Sequence, residues 1–150
     1  MYISVQTEDF DAAEVSRSLR GERLDIGALV SFTGLVRDHS TNHNLLALEL
    51  EHYPGMTEKA LRSIADSALQ QWDIDDLAII HRVGRLRPAE NIVLVVVLSA
   101  HRRQAFEACE FLMDYLKTRA PFWKKEITVE GESWVEAKQS DQQASERWTK

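Results

Sequence analysis

"LAIIHRVGRLRPAENIVLVVVLSA", residues 77–100, holds two strand-forming runs separated only by the turn "RPAEN" (87–91). The second run, "IVLVVVLSA" (92–100), is a continuous series of apolar, mostly branched residues, and it reads as a buried, central strand. It is too short to cross a bilayer. The first run, 77–86, reads as one strand. No helix stands between the two, so they are not successive strands of a doubly wound parallel sheet, in which every crossover carries one.

The same pattern extends outward in both directions. Residues 2–6 form a short strand, and "DAAEVSRSLRG" (11–21) is a short helix stopped at Gly21. "GALVSFTGLVR" (27–37) is rich in strand formers, with Gly34 marking a bulge or a close backbone approach. The polar "DHSTNHN" (38–44) is a loop, and its place beside Arg37 makes it a candidate lid. "LLALELEHY" (45–53) alternates, with Leu46, Leu48 and Leu50 on one face and Glu49 and Glu51 on the other. After the turn "YPGMT", residues 57–72 predict a helix with Thr57 as N-cap and an apolar face of Leu61, Ile64, Ala65, Ala68 and Trp72. Residues 103–119 predict a second long helix with a core stripe of Phe106, Cys109, Leu112, Met113 and Leu116. Pro121 disfavours helix at Ala120. "FWKKEITV" (122–129) and "SWVEA" (133–137) pair across "EGE" as a hairpin, and the tail carrying Trp148 docks as a short helix. The resulting order, β-α-β-β-α-β-β-α-β-β, predicts an α+β fold with a mixed or antiparallel sheet and helices packed on it.

A chain of 150 residues is read as one domain, 1–150, long enough for a core without staples. Its net charge of −6 disfavours non-specific nucleic-acid binding and makes local basic clusters stand out. The single cysteine, Cys109, allows no internal disulfide. The N-terminus lacks the basic and apolar regions of a signal peptide. Together these predict a cytoplasmic protein without a membrane segment. Cys109 falls on an apolar helix face and reads as core.

Common catalytic signatures are missing. There is no glycine-rich phosphate loop, no nucleophile elbow, and no metal spacing among the five histidines. Two basic clusters remain. His101, Arg102 and Arg103 lie where a buried strand hands over to a helix. Cations there oppose the helix dipole, so the cluster reads either as a phosphate or carboxylate site or as a solvated loop. "MDYLKTRAPFWKKE" (113–126) places Lys117 at a helix end and Lys124 beyond the Pro121 stop. Lys117 there complements the dipole, which is reason enough for a structural lysine. Alternatively Lys124 folds back towards Lys117 and Arg37, forming an anion pocket with an amine available as nucleophile or general base.

Five blocks of sequence carry a family likeness: "VSFTGLVRDH" (30–39), "LELEHYPGMTEKAL" (48–61), "IIHRVGRL" (79–86), "SAHRRQAFEACEFLMDYLKTRAPFWKKE" (99–126) and "WVEAKQSDQQ" (134–143). They closely resemble the large, catalytic subunit of molybdopterin synthase, from about residue 26 to the end. The resemblance implies an α+β fold with an α/β-hammerhead-like element. It implies a sulfurtransferase that installs the dithiolene of molybdopterin on cyclic pyranopterin monophosphate, in molybdenum cofactor biosynthesis. The sulfur would come from the C-terminal Gly-Gly thiocarboxylate of a small ubiquitin-like partner. The assembly would be a homodimer within a heterotetramer, and sulfur transfer of this kind calls for no metal or other cofactor.

Roles follow position by position. Lys117 matches the essential lysine near the partner's thiocarboxylate, and Lys124 the second lysine of that pocket. Arg37 and Phe32 match residues lining the site, and Met113 the channel for the partner's tail. His101 and Arg102 match the anion site for the substrate phosphate. Glu126 matches an acidic position near the lysines, with a structural or orienting role. Lys138 matches a substrate-binding position that reaches the neighbouring subunit's site, and there the chain departs from the family, in which arginine is frequent; lysine keeps the charge and loses the planar fork. The competing reading is a non-catalytic module of the same fold that binds an anion or a partner tail.

Overall fold

The computed structural model describes residues 1–38, 44–135 and 139–149; the side chains of residues 139 and 140 are outside that description. The "DHSTNHN" loop, apart from Asp38 and Asn44, and Lys138 therefore lie outside the described residues. The elements run β1 (Tyr2–Gln6), α1 (Ala12–Arg20), β2 (Ala28–Leu35), β3 (Leu45–His52), α2 (Met56–Gln71), β4 (Asp76–Arg82), β5 (Gly84–Leu86) and β6 (Asn91–Ser99). They continue as α3 (Arg102–Thr118), β7 (Phe122–Thr128), β8 (Gly131–Val135), α4 (Gln139–Glu146) and a 3₁₀ turn (Arg147–Thr149).

These strands build two four-stranded sheets, ordered β1-β4-β6-β2 and β5-β3-β7-β8. In the first, β1 runs parallel to β4 and the other pairs are antiparallel. The second is antiparallel throughout. The fold is α+β, as the run of helix-free strand pairs predicts.

Strand β6 is central and covered on both sides, which accounts for its unbroken apolar sequence. Val93, Val95 and Val97 face α2 and α3, meeting Leu61, Ile64, Phe111 and Leu112. Leu94, Val96 and Leu98 face the other way, towards Val15 and Leu19 of α1. A third cluster, Val36, Leu45, Leu48, Leu50, Val83 and Leu86, lies under the second sheet. Each such side chain, fully buried, contributes about 1.5–3 kcal/mol from removal of apolar surface from water.

Four expectations are corrected by tertiary packing. The run 77–86 is two strands: Gly84, at φ 90°, turns the chain out of the first sheet so that β5 joins β3 in the second. Only glycine takes that left-handed turn without strain. Leu46 does not share a face with Leu48 and Leu50. A bulge between Leu45 and Ala47 turns it out, 49% exposed, while Leu45 and Ala47 go in. Thr57 is not the N-cap of α2; Gly55 is, and the Glu58 carboxylate accepts from the Gly55 N–H. Phe106 is not in the α3 stripe but 60% exposed, and the buried face is Ala105, Ala108, Cys109, Phe111, Leu112 and Leu116. Among the described residues no helix is long and apolar enough to cross a membrane.

The tail docks through Trp148, whose indole packs edge-on against Trp72 and Phe111 and whose Nε1–H donates to Asp114 Oδ2 at 2.6 Å. Cys109 is buried, and burial first, then the Glu110 carboxylate, pushes its thiol up to about 11. It is a packing residue with little thiolate character.

Candidate active site

A cavity of about 910 Å³ opens where the two sheets meet the C-terminal end of α3. Phe32, Gly34 and Leu35 of β2 form one wall, continued by Arg37 and Asp38. Met113, Leu116 and Lys117 of α3 form a second, and Phe122 and Lys124 of β7 a third. Pro88 and Ala89, from the turn before β6, and Asp141 of α4 complete the rim.

Local chemistry sets each of these groups. Lys117 sits in the last turn of α3, where a cation complements the helix dipole. The helix then stops ahead of Pro121, and the chain reverses into β7. Period-two alternation puts Phe122 and Lys124 on one face of that strand. Thr57 fixes the reversal: its Oγ1–H donates to Pro121 O at 3.2 Å while its oxygen accepts from Tyr53 N–H at 3.0 Å. On the opposite wall, Val36 N–H donates to Glu90 O at 2.9 Å and Ala89 N–H to Val36 O at 2.8 Å, locking the approach to Arg37. Gly34 lets β2 lie close to β6, since a Cβ there would come within 2.8 Å of Val93 Cγ1. The β2–β6 register shifts at the same point, so Gly34 marks both an irregularity and a close approach.

The lining combines three cations, Lys117, Lys124 and Arg37, with two carboxylates, Asp38 and Asp141, inside a chain of net charge −6. The rest of the wall is largely apolar. Such a surface suits a slender anionic ligand with an uncharged backbone, because cations in a partly dry site are more effective than in water.

Five of the residues singled out in the sequence therefore share one cavity: Phe32, Arg37, Met113, Lys117 and Lys124. Glu126 follows Lys124 on β7 without lining the cavity, and pairs in register with Leu48. His101 and Arg102 open α3 at its other end and are exposed. Arg102 and Lys117 are fifteen helical steps apart, about 22 Å of rise. Lys138 falls outside the described residues. Among the described residues no cluster of histidine, cysteine and acidic side chains could hold a metal ion.

The sequence reading missed His81 and Asp141. His81, on β4, lines the cavity, stacks on Phe122 with ring centroids 3.8 Å apart and planes 16° from parallel, and is 8% exposed. Burial pushes its imidazole down to about 4. The hydrogen bond to Arg82 O works the other way, and the charges of Lys117, Lys124 and His52 add to the depression. The available signal was a histidine that ends the apolar run "LAII" (77–80). Asp141 carried no signal, because a polar helix in the tail has no visible direction.

Comparison with known proteins agrees with this architecture. The family model described as "MoaE protein" matches residues 5–119. The molybdopterin synthase catalytic subunit of Ralstonia nicotianae is 56% identical over 146 residues, 97% of this chain and 83% of that protein. The molybdopterin biosynthesis MoaE protein of Burkholderia ambifaria superposes with a TM-score of 0.85 at 52% identity, covering 99% of this chain and 98% of that one. Molybdopterin synthase from Staphylococcus aureus superposes with a TM-score of 0.81 at 32% identity, covering 88% and 95%. The chain belongs to the MoaE family, that of the molybdopterin synthase catalytic subunits.

Proposed function

We propose that this chain is the catalytic subunit of a molybdopterin synthase. It acts as a sulfurtransferase that moves sulfur from the C-terminal thiocarboxylate of a small ubiquitin-like partner to cyclic pyranopterin monophosphate. The observation that carries the reading is the convergence of Lys117, Lys124 and Arg37 on one apolar-walled cavity in an acidic protein.

The chemistry asks for such a cavity. A thiocarboxylate and a phosphorylated pterin are both anionic, and bringing them together costs Coulomb energy that nearby cations offset. The thiocarboxylate sulfur attacks an electrophilic carbon of the pterin side chain and displaces its oxygen substituent; water then hydrolyses the thioester so formed, leaving the sulfur on the pterin and a carboxylate on the partner. Lys117 serves as general acid/base or stabilises the developing oxyanion, while Lys124 and Arg37 hold charge. Phe32, Met113 and Phe122 supply walls that exclude water and fit an extended glycine tail. Two transfers are needed, so the half-converted pterin stays bound while one spent partner leaves and a second arrives. Glu126, beyond the cavity wall, orients β7.

His101, Arg102 and Lys138 take the substrate phosphate in this reading. Within one chain His101 and Arg102 stand a full helix length from Lys117, so they serve the cavity of a second copy in a homodimer.

Reconstitution tests the function. Purified chain, thiocarboxylated small partner and cyclic pterin precursor are mixed, and the dithiolene product is followed after oxidation to its fluorescent derivative. Product should appear as the partner's C-terminus loses sulfur by mass. Tight partner binding with no product would leave the non-catalytic binding module as the better reading.

A further inference from the structure

We propose that His81 is a positioning residue for the cavity: stacked on Phe122, it ties β7, and with it Lys124, to β4 of the other sheet. This rests on the reading of the cavity as the sulfur-transfer site.

Strands β4 and β7 belong to different sheets and share no ladder, so backbone hydrogen bonds do not set their spacing. The His81–Phe122 stack spans that seam. Phe122 and Lys124 are two residues apart on one face of β7, so whatever holds the phenyl ring also aims the amine. His81 is itself held. Its Nδ1 lies 2.8 Å from Arg82 O, and because a carbonyl only accepts, Nδ1 carries the proton. Arg82 is locked in turn: its guanidinium donates to Thr7 O at 3.2 and 3.0 Å and to Asn91 O at 3.0 Å. The anchor thus runs from two separate backbone segments, through Arg82 and His81, to Phe122.

Neutrality is part of the device. A charged ring at this place would stand against Lys117 of α3 and Lys124 of β7, with His52 of β3 also in range. Its register neighbours on β1 and β6 are Val5 and Val93, which offer no counter-charge. Lysine or arginine in the same position would repel the amines it has to place. An aromatic ring with one N–H for the Arg82 carbonyl meets both demands.

The test compares His81→Phe, His81→Gln and His81→Ala in the reconstituted reaction with thiocarboxylated partner and cyclic pterin. Phenylalanine keeps the stack, and glutamine keeps a neutral polar group without a ring. The Gln and Ala variants should lose about 10- to 100-fold in kcat, the scale of a misplaced reacting group, with KM for the pterin and partner affinity changed less than about threefold. Phe should recover kcat to within about fivefold of wild type. A Gln variant as active as the Phe variant would overturn the proposal, as would full kcat in all three with only a lower melting temperature. The Phe–Gln comparison decides the matter even when the Ala variant does not fold. Amine-reactive labelling of Lys124, read by mass spectrometry with Lys59 as reference, is independent of turnover. It should change by more than about threefold in the Gln variant and stay near wild type in the Phe variant; equal labelling in both would overturn the proposal. A wild type that makes no product defeats the functional reading, and the labelling contrast then decides the inference by itself.

Discussion

Lys117 and Lys124 reach one cavity from opposite sides of a proline. The first ends a helix and the second begins a strand, and Pro121 is the reason the chain changes direction between them. His81 is the third residue of this arrangement, and its burial has a thermodynamic consequence. Its imidazole sits near 4 in the folded chain against an ordinary value of 6.5. The unfolded chain therefore binds the extra proton between those values, and stability falls as pH drops through that window. Above pH 6.5 the contribution is complete. Urea unfolding at about pH 7 and about pH 4.5 should show an acid loss in wild type, of which roughly 2–3 kcal/mol disappears in His81→Phe. Identical acid losses in the two proteins would mean that His81 titrates normally.

Among the elements, β2 depends on a close approach at one glycine within it. Gly34 brings β2 against β6 where a methyl group would meet Val93 Cγ1 at 2.8 Å. Gly34→Ala should destabilise the fold by about 1–3 kcal/mol through overpacking, read as a lower urea midpoint at unchanged slope. An unchanged midpoint would show that β6 yields at no cost. The sequence made this strand and its glycine legible because both signals are local. It left β5 hidden, because the break at Gly84 is a change of sheet, and nothing in "IIHRVGRL" says which sheet each half joins. Leu46 was misplaced because a bulge reverses the alternation on which the assignment rested. Phe106 was misplaced because helical spacing alone does not tell a buried edge of the stripe from an exposed one. Phe111, buried completely beneath Trp72 and Trp148, needed the docked tail to be recognised.

At the scale of the whole molecule, the α+β class followed from strand pairs without helices, and the structure bears it out. The site was legible in part. Arg37 follows the end of β2, Lys117 sits in the last turn of α3 and Lys124 comes soon after Pro121, so a strand end, a helix end and a proline fix their directions. His101 and Arg102 are a different case: the helix expected over 103–119 already puts them at the opposite end from Lys117, and the structure keeps them there. His81 and Asp141 were hidden because their roles come from what packs against them. The central claim is that the cavity at the end of α3 performs the sulfur transfer. Single-turnover product formation with Lys117→Ala tests it most directly, with partner binding measured on the same protein and the exposed α2 residue variant Lys59→Ala as control. The account predicts at least about a 100-fold loss of product for Lys117→Ala, with partner affinity retained and the control near wild type. Turnover of Lys117→Ala close to that of the control would contradict it.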